Sequence, residues 1–328
     1  MKRLIRVAIL VLGLATVGTA SSYMWFQHKV KDTGPLTAPV SVVIEPGMGL
    51  TSISAKLATA NVITSPWIFE LAARLTGQSR SLKAGEYKFS PGINVADSLV
   101  KLLAHDVLIR FITIPEGLTT DQILELIMSA KGLSGTPPPS IPEGSLLPET
   151  YGYERGQSRA TLISQMTKDR DQLMSELWDN RNDDLPFSTI DEAVVLASII
   201  EKETSISEER RHVASVFINR LKQGMKLQSD PTVIYGLNPS GKGLGRSLRR
   251  SELEKATPFN TYLNYGLPPS PICNPGRAAL RAVFNPLNTL DLYFVANGTG
   301  GHVFAETLKE HNHNVAHWRR LKMGLEAN

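Results

Sequence analysis

An uncharged apolar segment near the N-terminus limits what this chain can fold into more than any other feature. The segment runs from Val7 to Phe26, and at about 1.5 Å per helical residue it spans roughly 30 Å, the thickness of a bilayer's hydrocarbon core. Three basic residues precede it, and Lys29 and Lys31 follow it. Because basic residues favour the cytoplasmic side, we expect a single-pass helix with a cytoplasmic N-terminus and the remaining chain outside.

A cleaved signal peptide is the rival interpretation, because Gly18 and Ala20 fit a small-x-small cleavage site. We favour an uncleaved anchor, because the apolar run continues past that site to Phe26. Either interpretation places the globular part outside the cytoplasm. The single cysteine, Cys273, excludes an internal disulfide. The 35 basic and 31 acidic residues are too nearly balanced to indicate nucleic-acid binding.

The rest of the chain predicts an α+β protein built in several parts. We expect an anchor at residues 1–27 and a Gly- and Pro-containing linker at residues 28–40. A β-branched strand, two helices and a second strand follow, in a strand–helix–helix–strand order. Residues 131–148 are rich in Gly, Pro and Ser, which is typical of a loop. Beyond Asp230 the pattern predicts mostly turns, then a helix, a strand and a last helix from about Asn314.

One predicted helix, from Asp191 to about Thr204, is apolar on every side and should be buried. It ends with two glutamates, Glu201 and Glu203, which project about 200° apart and so cannot act as a carboxylate pair. Glu203 continues the bulkier apolar stripe, formed by Leu196, Ile199 and Ile200. Glu203 is therefore the better candidate for desolvation, which raises the pKa of a carboxyl as a general acid requires.

A plainer interpretation is that both glutamates are solvated residues beyond a helix end, and the pattern alone favours it. One observation favours a function instead. Negative charge near a helix C-terminus opposes the helix dipole, so these residues do not serve helix stability. The sequence offers no obvious second carboxylate to act with Glu203.

Polar and aromatic residues in two later turns are candidates for binding sugar hydroxyls and rings. They are Gln228, Ser229 and Asp230 in one turn and Asn260 and Tyr262 in the other. The alternative is that these side chains only cap turns.

Four histidines near the C-terminus raise the question of a metal site. His313 and His317 have helical i,i+4 spacing, but no Cys, Asp or Glu completes a zinc pattern. The glycine-rich segment 241–247 lacks the residue order of a phosphate-binding loop. We therefore expect neither a metal nor a cofactor.

Several segments together resemble the endolytic murein transglycosylase (MltG or YceG-like) family, and the similarity follows nearly the whole chain in order. The strongest segment is Leu196–Thr204, which ends in Glu-Lys-Glu-Thr. Other matching segments are Lys83–Tyr87, Ile114–Gly117, Val213–Leu221, Met225–Gly236, Asn260–Tyr262, Gly266–Pro269, Asn274–Gly276, Tyr293–Ala296 and Gly300–His302. Departures from the family pattern, at Ser145, Leu147, Glu149, Phe259, Ser270 and Cys273, concern cleft contacts and leave the Glu-Lys-Glu-Thr motif intact.

The resemblance implies a lyase that cleaves the β-1,4 bond between N-acetylmuramic acid and N-acetylglucosamine within peptidoglycan strands, leaving a 1,6-anhydro end. The family's catalytic glutamate corresponds to Glu203. The residues we expect to position the substrate are Gln228, Ser229, Asp230, Asn260 and Tyr262. A hydrolytic muramidase and a non-catalytic peptidoglycan-binding scaffold are the alternatives.

The resemblance also implies an architecture and a location. We expect a transmembrane helix, a small LysM-like βααβ module at residues 41–108, and a larger mixed α+β catalytic domain at residues 109–328. The helix would lie in the inner membrane, with the catalytic domain on the periplasmic side. Contact with cell-wall synthases and termination of nascent strands are implied as well.

Overall fold

The computed structural model describes residues 2–326 and confirms the predicted mixed α+β class. The chain divides into two units. The first comprises residues up to Arg110 together with Tyr153–Gly156, and the second comprises Phe111–Gly152 together with the chain from Gln157 onward.

The first unit contains four helices and a two-stranded sheet. Its elements are α1 (Lys2–Lys31), β1 (Val40–Ile44), α2 (Leu50–Thr59), α3 (Pro66–Leu75), β2 (Gly85–Phe89) and α4 (Val95–Ala104). β1 and β2 are antiparallel, with Val42 opposite Tyr87. The predicted strand–helix–helix–strand order is therefore confirmed, while the likeness to a LysM module stays a prediction.

Helix α1 is long and apolar enough to span a membrane from Arg3 to Lys31. Its last turns behave differently, because Phe26 and Val30 are buried in the core of the first unit. The helix therefore covers the start of the predicted linker, and only residues 32–39 are irregular. Gly34 packs against the backbone there, since a Cβ would lie 2.0 Å from the carbonyl oxygen of Ile93.

Two paired strands, β3 (Ile109–Thr113) and β4 (Thr150–Glu154), contain the points where the chain passes between the units. Helix α5 (Thr120–Ser129) follows β3 and begins at a capping box formed by Thr119 and Gln122. The chain between α5 and β4 is largely irregular, as the Gly, Pro and Ser content of residues 131–148 predicted.

The second unit is largely helical and is built around one buried helix. Its further elements are α6 (Arg159–Asp179), α7 (Ile190–Glu203), a short 3₁₀ helix (Ser207–Glu209), α8 (Arg210–Lys222), α9 (Asp230–Leu237), α10 (Arg250–Leu253), α11 (Arg277–Phe284), β5 (Tyr293–Ala296), β6 (His302–Ala305) and α12 (Leu308–Glu326). Every side chain of α7 from Ala193 to Ile200 is buried. The helix starts at a capping box of Thr189 and Glu192 and packs against both α8 and α11.

Some elements differ from the predicted ones. Helix α9 forms where turns were expected, because Pro231 follows Asp230 in the first turn, a position that favours helix initiation. Helix α12 starts at Leu308 rather than near Asn314, because Thr307 and Glu310 cap each other's backbone amides. Strand β6, antiparallel to β5, was not anticipated.

Candidate active site

Glu203 is the last residue of α7, at the point where the buried helix ends. Thr204 is extended and closes the helix, while its backbone N–H still donates to the carbonyl of Ile200. Glu203 is partly buried, so its carboxyl lies beside packed protein on one side. Glu203 is therefore not a fully solvated residue beyond the end of the helix.

The Glu203 carboxyl accepts a hydrogen bond from a hydroxyl and lies in an environment that favours its protonated form. Ser229 Oγ donates a hydrogen bond to Glu203 Oε1 at 2.5 Å. Burial raises the pKa of Glu203 to about 7, a shift that the Ser229 hydrogen bond opposes, the charge of Asp230 reinforces and the charge of Arg220 opposes. A carboxyl with a pKa near 7 can both donate and accept a proton at neutral pH.

Hydrogen bonds to both backbone polar groups of Ser229 hold this residue in place beside Glu203. Ser229 is buried, and its backbone N–H donates to Thr261 Oγ1 at 2.9 Å. Thr232 Oγ1 donates to the Ser229 carbonyl at 2.7 Å. Gln228 has a left-handed backbone with φ of 52°, which is uncommon for a residue with a side chain, and its side chain is exposed.

Tyr262 links the second predicted turn to the first. Its hydroxyl donates to Asp230 Oδ1 at 2.7 Å. Burial and the neighbouring Asp230 raise the pKa of Tyr262, so the phenol stays protonated and able to donate. Asp230 is exposed and lies close enough for its charge to act on Glu203. The sequence had indicated no second carboxylate beside Glu203, and Asp230 supplies one.

Asn260 has a different place from the other predicted substrate-positioning residues. It is fully buried, and its amide donates to the carbonyls of Leu253 and Lys255 at 2.9 and 2.8 Å. Its side-chain oxygen accepts the backbone N–H of Tyr262 at 2.9 Å. Asn260 therefore holds Tyr262 in position and has no amide group left for a ligand.

Arg220 was given no role from the sequence, yet it organises the same region from α8. Its guanidinium is buried and donates to the carbonyls of Leu227 and Leu292, both at 2.6 Å. Burial lowers the pKa of Arg220. The contact to Leu227 fixes the chain directly before Gln228. In the sequence, the signal that could have identified Arg220 is its position as a basic residue beside the apolar stripe of α8.

Glu201 occupies the opposite side of the same helix end and is also buried, its side chain being only 5% exposed. Its Oε2 accepts the backbone N–H of Gly276 at 2.9 Å, and its Oε1 accepts from Arg210 Nη2 at 3.0 Å. Burial raises the pKa of Glu201, while Gly276 and Arg210 lower it. The apolar stripe predicted that Glu203 is the better candidate for burial. Both glutamates are at least partly buried, and their hydrogen-bond partners are what distinguish them.

Two of the histidines lie within hydrogen-bonding distance of carboxylates. His302 Nδ1 lies 2.7 Å from Glu209, and His212 Nε2 lies 2.6 Å from Asp291. Across residues 2–326, His, Cys, Asp and Glu side chains form no group of three or more that could hold a metal ion.

Comparisons with known proteins show which proteins this chain resembles. The model of the YceG-like family matches residues 42–317. The endolytic murein transglycosylase of Bacillus subtilis (strain 168) is 31% identical over 83% of this chain and 83% of its own length. The enzyme of the same name from Streptococcus pneumoniae serotype 2 is 28% identical over 91% of this chain, which spans 62% of that longer relative.

A solved structure gives the same result at the level of the fold. The crystal structure of a YceG-like protein from Listeria monocytogenes is 30% identical, covers 84% of this chain and 98% of its own, and has a TM-score of 0.52. The match of the family model over most of the chain confirms the predicted family. The chain belongs to the YceG-like family.

Proposed function

We propose that this chain is an endolytic peptidoglycan lytic transglycosylase, a lyase with Glu203 as its acid and base. The names of its relatives in Bacillus subtilis and Streptococcus pneumoniae support the activity. The observation that carries the proposal is the Glu203 carboxyl at the end of a buried helix, held by Ser229, with a pKa raised to about 7.

In the proposed reaction, protonated Glu203 donates its proton to the oxygen that joins C1 of N-acetylmuramic acid to N-acetylglucosamine. The C1–O bond breaks through an oxocarbenium-like state, and N-acetylglucosamine leaves with a hydroxyl. The muramyl C6 hydroxyl then attacks C1, and its proton passes to the Glu203 carboxylate. No water is consumed, and Glu203 ends the cycle protonated, as it began.

The two halves of this cycle make opposite demands on one carboxyl, which must give up a proton and then regain one. A pKa near 7 suits both demands at neutral pH. Intramolecular attack by the C6 hydroxyl also has an entropic advantage over attack by water. One correctly held carboxyl is then sufficient.

The predicted substrate-positioning residues divide into two groups in this proposal. Gln228, Asp230 and Tyr262 contact the glycan, since the first two are exposed and the third is part of the same surface. Ser229 and Asn260 act indirectly, because their polar side chains are engaged by Glu203 and by backbone groups respectively.

A hydrolytic muramidase is the second candidate, and the position of Asp230 favours it. Retaining glycosidases use a second carboxylate to stabilise or attack the sugar C1. The negative charge of Asp230 acts on Glu203, so Asp230 could serve in that way while water completes the reaction.

Mass spectrometry of digested glycan strands separates the candidates. A lytic transglycosylase releases anhydro ends, and a muramidase releases products heavier by one water. Glu203→Gln should abolish release, whereas Glu208→Gln, an exposed glutamate in the following 3₁₀ helix, should keep it. Anhydro products from Asp230→Asn would support the lytic reaction. Retained cleavage by Glu203→Gln would overturn the assignment of Glu203 as the catalytic acid. If the unaltered chain binds glycan without cleaving it, the chain is a non-catalytic peptidoglycan-binding scaffold.

We also propose that α1 is a single-pass anchor with a cytoplasmic N-terminus and the catalytic part on the periplasmic side. The basic residues before the apolar run support this orientation. Residues 41–108 would be a LysM-like peptidoglycan-binding module, and contact with cell-wall synthases would let the enzyme end nascent strands. Protease accessibility in membrane vesicles tests the orientation, and co-purification tests the synthase contact.

A further inference from the structure

Helix α3 carries an exposed apolar stripe that the proposed reaction does not use. Trp67, Leu71 and Leu75 are spaced four residues apart, so they lie on one face of the helix. Trp67 is 52% exposed and Leu75 is 64% exposed, and Val100 on the neighbouring α4 is 61% exposed. Single exposed apolar residues are ordinary, but a continuous apolar surface of this kind marks an interaction site.

The stripe lies directly beside the end of the apolar part of α1. Trp67 stacks on Trp25, with ring centroids 6.1 Å apart and planes 15° from parallel. Trp67 and Leu71 line one groove with Trp25 and neighbouring α1 residues. A second groove brings Leu75 and Val100 against Tyr23 and Phe26 of α1.

No flexible segment separates this surface from the membrane-spanning part of α1. The helix continues unbroken to Lys31, and Phe26 and Val30 are buried in the core of the first unit. Helices α3 and α4 both pack on α1. Trp67 must therefore lie at the same depth in a membrane as Trp25.

We propose that the stripe of Trp67, Leu71 and Leu75, with Val100, inserts into the interfacial layer of the leaflet where α1 leaves the bilayer. The first unit would then lie on the membrane surface, held there by α1. This inference rests on the proposal that α1 spans the membrane, and it adds a second membrane contact.

The occupant of this surface is lipid, because α1 holds the surface at the boundary between headgroups and acyl chains. Tyr23 and Trp25 lie near the end of the apolar run of α1, the position where amphipathic rings meet the headgroup boundary. Apolar side chains at that level reach acyl chains when they point outward. Lys31 on α1 lines the same groove as Leu75 and Val100 and can contact lipid phosphates.

A depth measurement on the full chain tests the proposal. The chain carries Cys273→Ala to remove the native thiol, and a nitroxide is attached at Leu71→Cys or Leu75→Cys. Ala55→Cys is the matched control, an exposed position on α2, which packs on α3 and β1. The chain is reconstituted in vesicles of phosphatidylethanolamine and phosphatidylglycerol. Relaxation by oxygen, which concentrates in lipid, is then compared with relaxation by a water-soluble nickel chelate.

We expect oxygen to relax the labels at positions 71 and 75 severalfold more than the nickel chelate does, with the reverse at position 55. Equal access of the nickel chelate to all three positions, on a chain that floats with the vesicles, would overturn this inference alone. A chain that fails to float would overturn the anchor and this inference together. Cleavage of soluble glycan, measured in parallel, tests the proposed reaction separately.

Discussion

The two sides of the α7 end hold glutamates in contrasting surroundings. On one side Glu201 receives hydrogen bonds from Arg210 and from the backbone of Gly276. On the other side Glu203 has the hydroxyl of Ser229 and the nearby negative charge of Asp230. Burial raises the pKa of both carboxyls. The two carboxyls therefore share burial and differ in their partners, because a cation and a backbone donor hold Glu201 whereas a hydroxyl contacts Glu203.

The largest expected effect separates the two sides by activity. Glu203→Gln removes the proton donor and should lower the rate of glycan cleavage by about 10²–10⁴-fold, the usual contribution of general acid–base catalysis. Glu201→Gln makes the same chemical change on the other side and should keep most of the activity per folded molecule. Equal losses in both variants, measured by product release, would remove the distinction between the sides.

The second effect separates the sides by stability. Among the described residues, Glu201→Ala leaves the buried guanidinium of Arg210 with the more exposed Glu116 as its remaining ion-pair partner. The substitution should lower the free energy of unfolding by about 3 kcal/mol. Glu254→Ala, which removes an exposed partner of Arg250, should change it by less than about 0.5 kcal/mol. Denaturant unfolding measures both. Similar values for the two variants would mean that Glu201 is not structural.

A third effect has the opposite sign and depends on pH. In the folded chain the pKa of Glu203 is raised from 4.5 to about 7. The contribution of this carboxyl to the free energy of unfolding is therefore fully present below pH 4.5 and is lost as pH rises through 7. Glu203→Gln cannot ionise, so it should be more stable than the unaltered chain at pH 8, by roughly 1–3 kcal/mol after allowance for partial exposure. At pH 4 the two should agree. A destabilised Glu203→Gln at pH 8 would contradict the raised pKa.

The smallest effects concern the neighbours of Glu203 and should differ in direction. An acid catalyst loses activity as pH rises through its pKa. Ser229→Ala removes a hydrogen bond that lowers the pKa of Glu203, so the alkaline limb of the pH–activity profile should move up. Asp230→Asn removes a charge that raises this pKa, so the limb should move down. Ser207→Ala, an exposed control, should leave it in place.

The sequence predicted those parts of the site that follow from local pattern. The apolar run Ala193–Ile200 predicted a buried helix, and its continuation to Glu203 singled out that residue. The cap at Thr189 and the extended Thr204 then fix the helix ends within about a residue of the predicted ones. Local periodicity was sufficient here because α7 is buried on every side.

Long-range contacts account for what the sequence did not predict. The role of Glu201 depends on Gly276, and that of Arg220 depends on Leu292, partners that are 75 and 72 positions away in the chain. Asn260 was expected to meet substrate but holds backbone carbonyls, because its turn folds inward. The stripe on α3 has an ordinary amphipathic pattern, and its contact with Trp25 is what identifies it as a surface beside the apolar part of α1.

The central claim is that Glu203 is protonated over a pH range in which an ordinary carboxyl is ionised, and a carboxyl titration tests it most directly. Carbon-13 NMR of glutamate-labelled protein, with the Glu203 signal assigned by its disappearance in Glu203→Gln, follows ionisation of this one group. We predict a midpoint of about 7. A midpoint near the ordinary value of 4.5 would contradict the proposed role of Glu203 as the acid that opens the reaction.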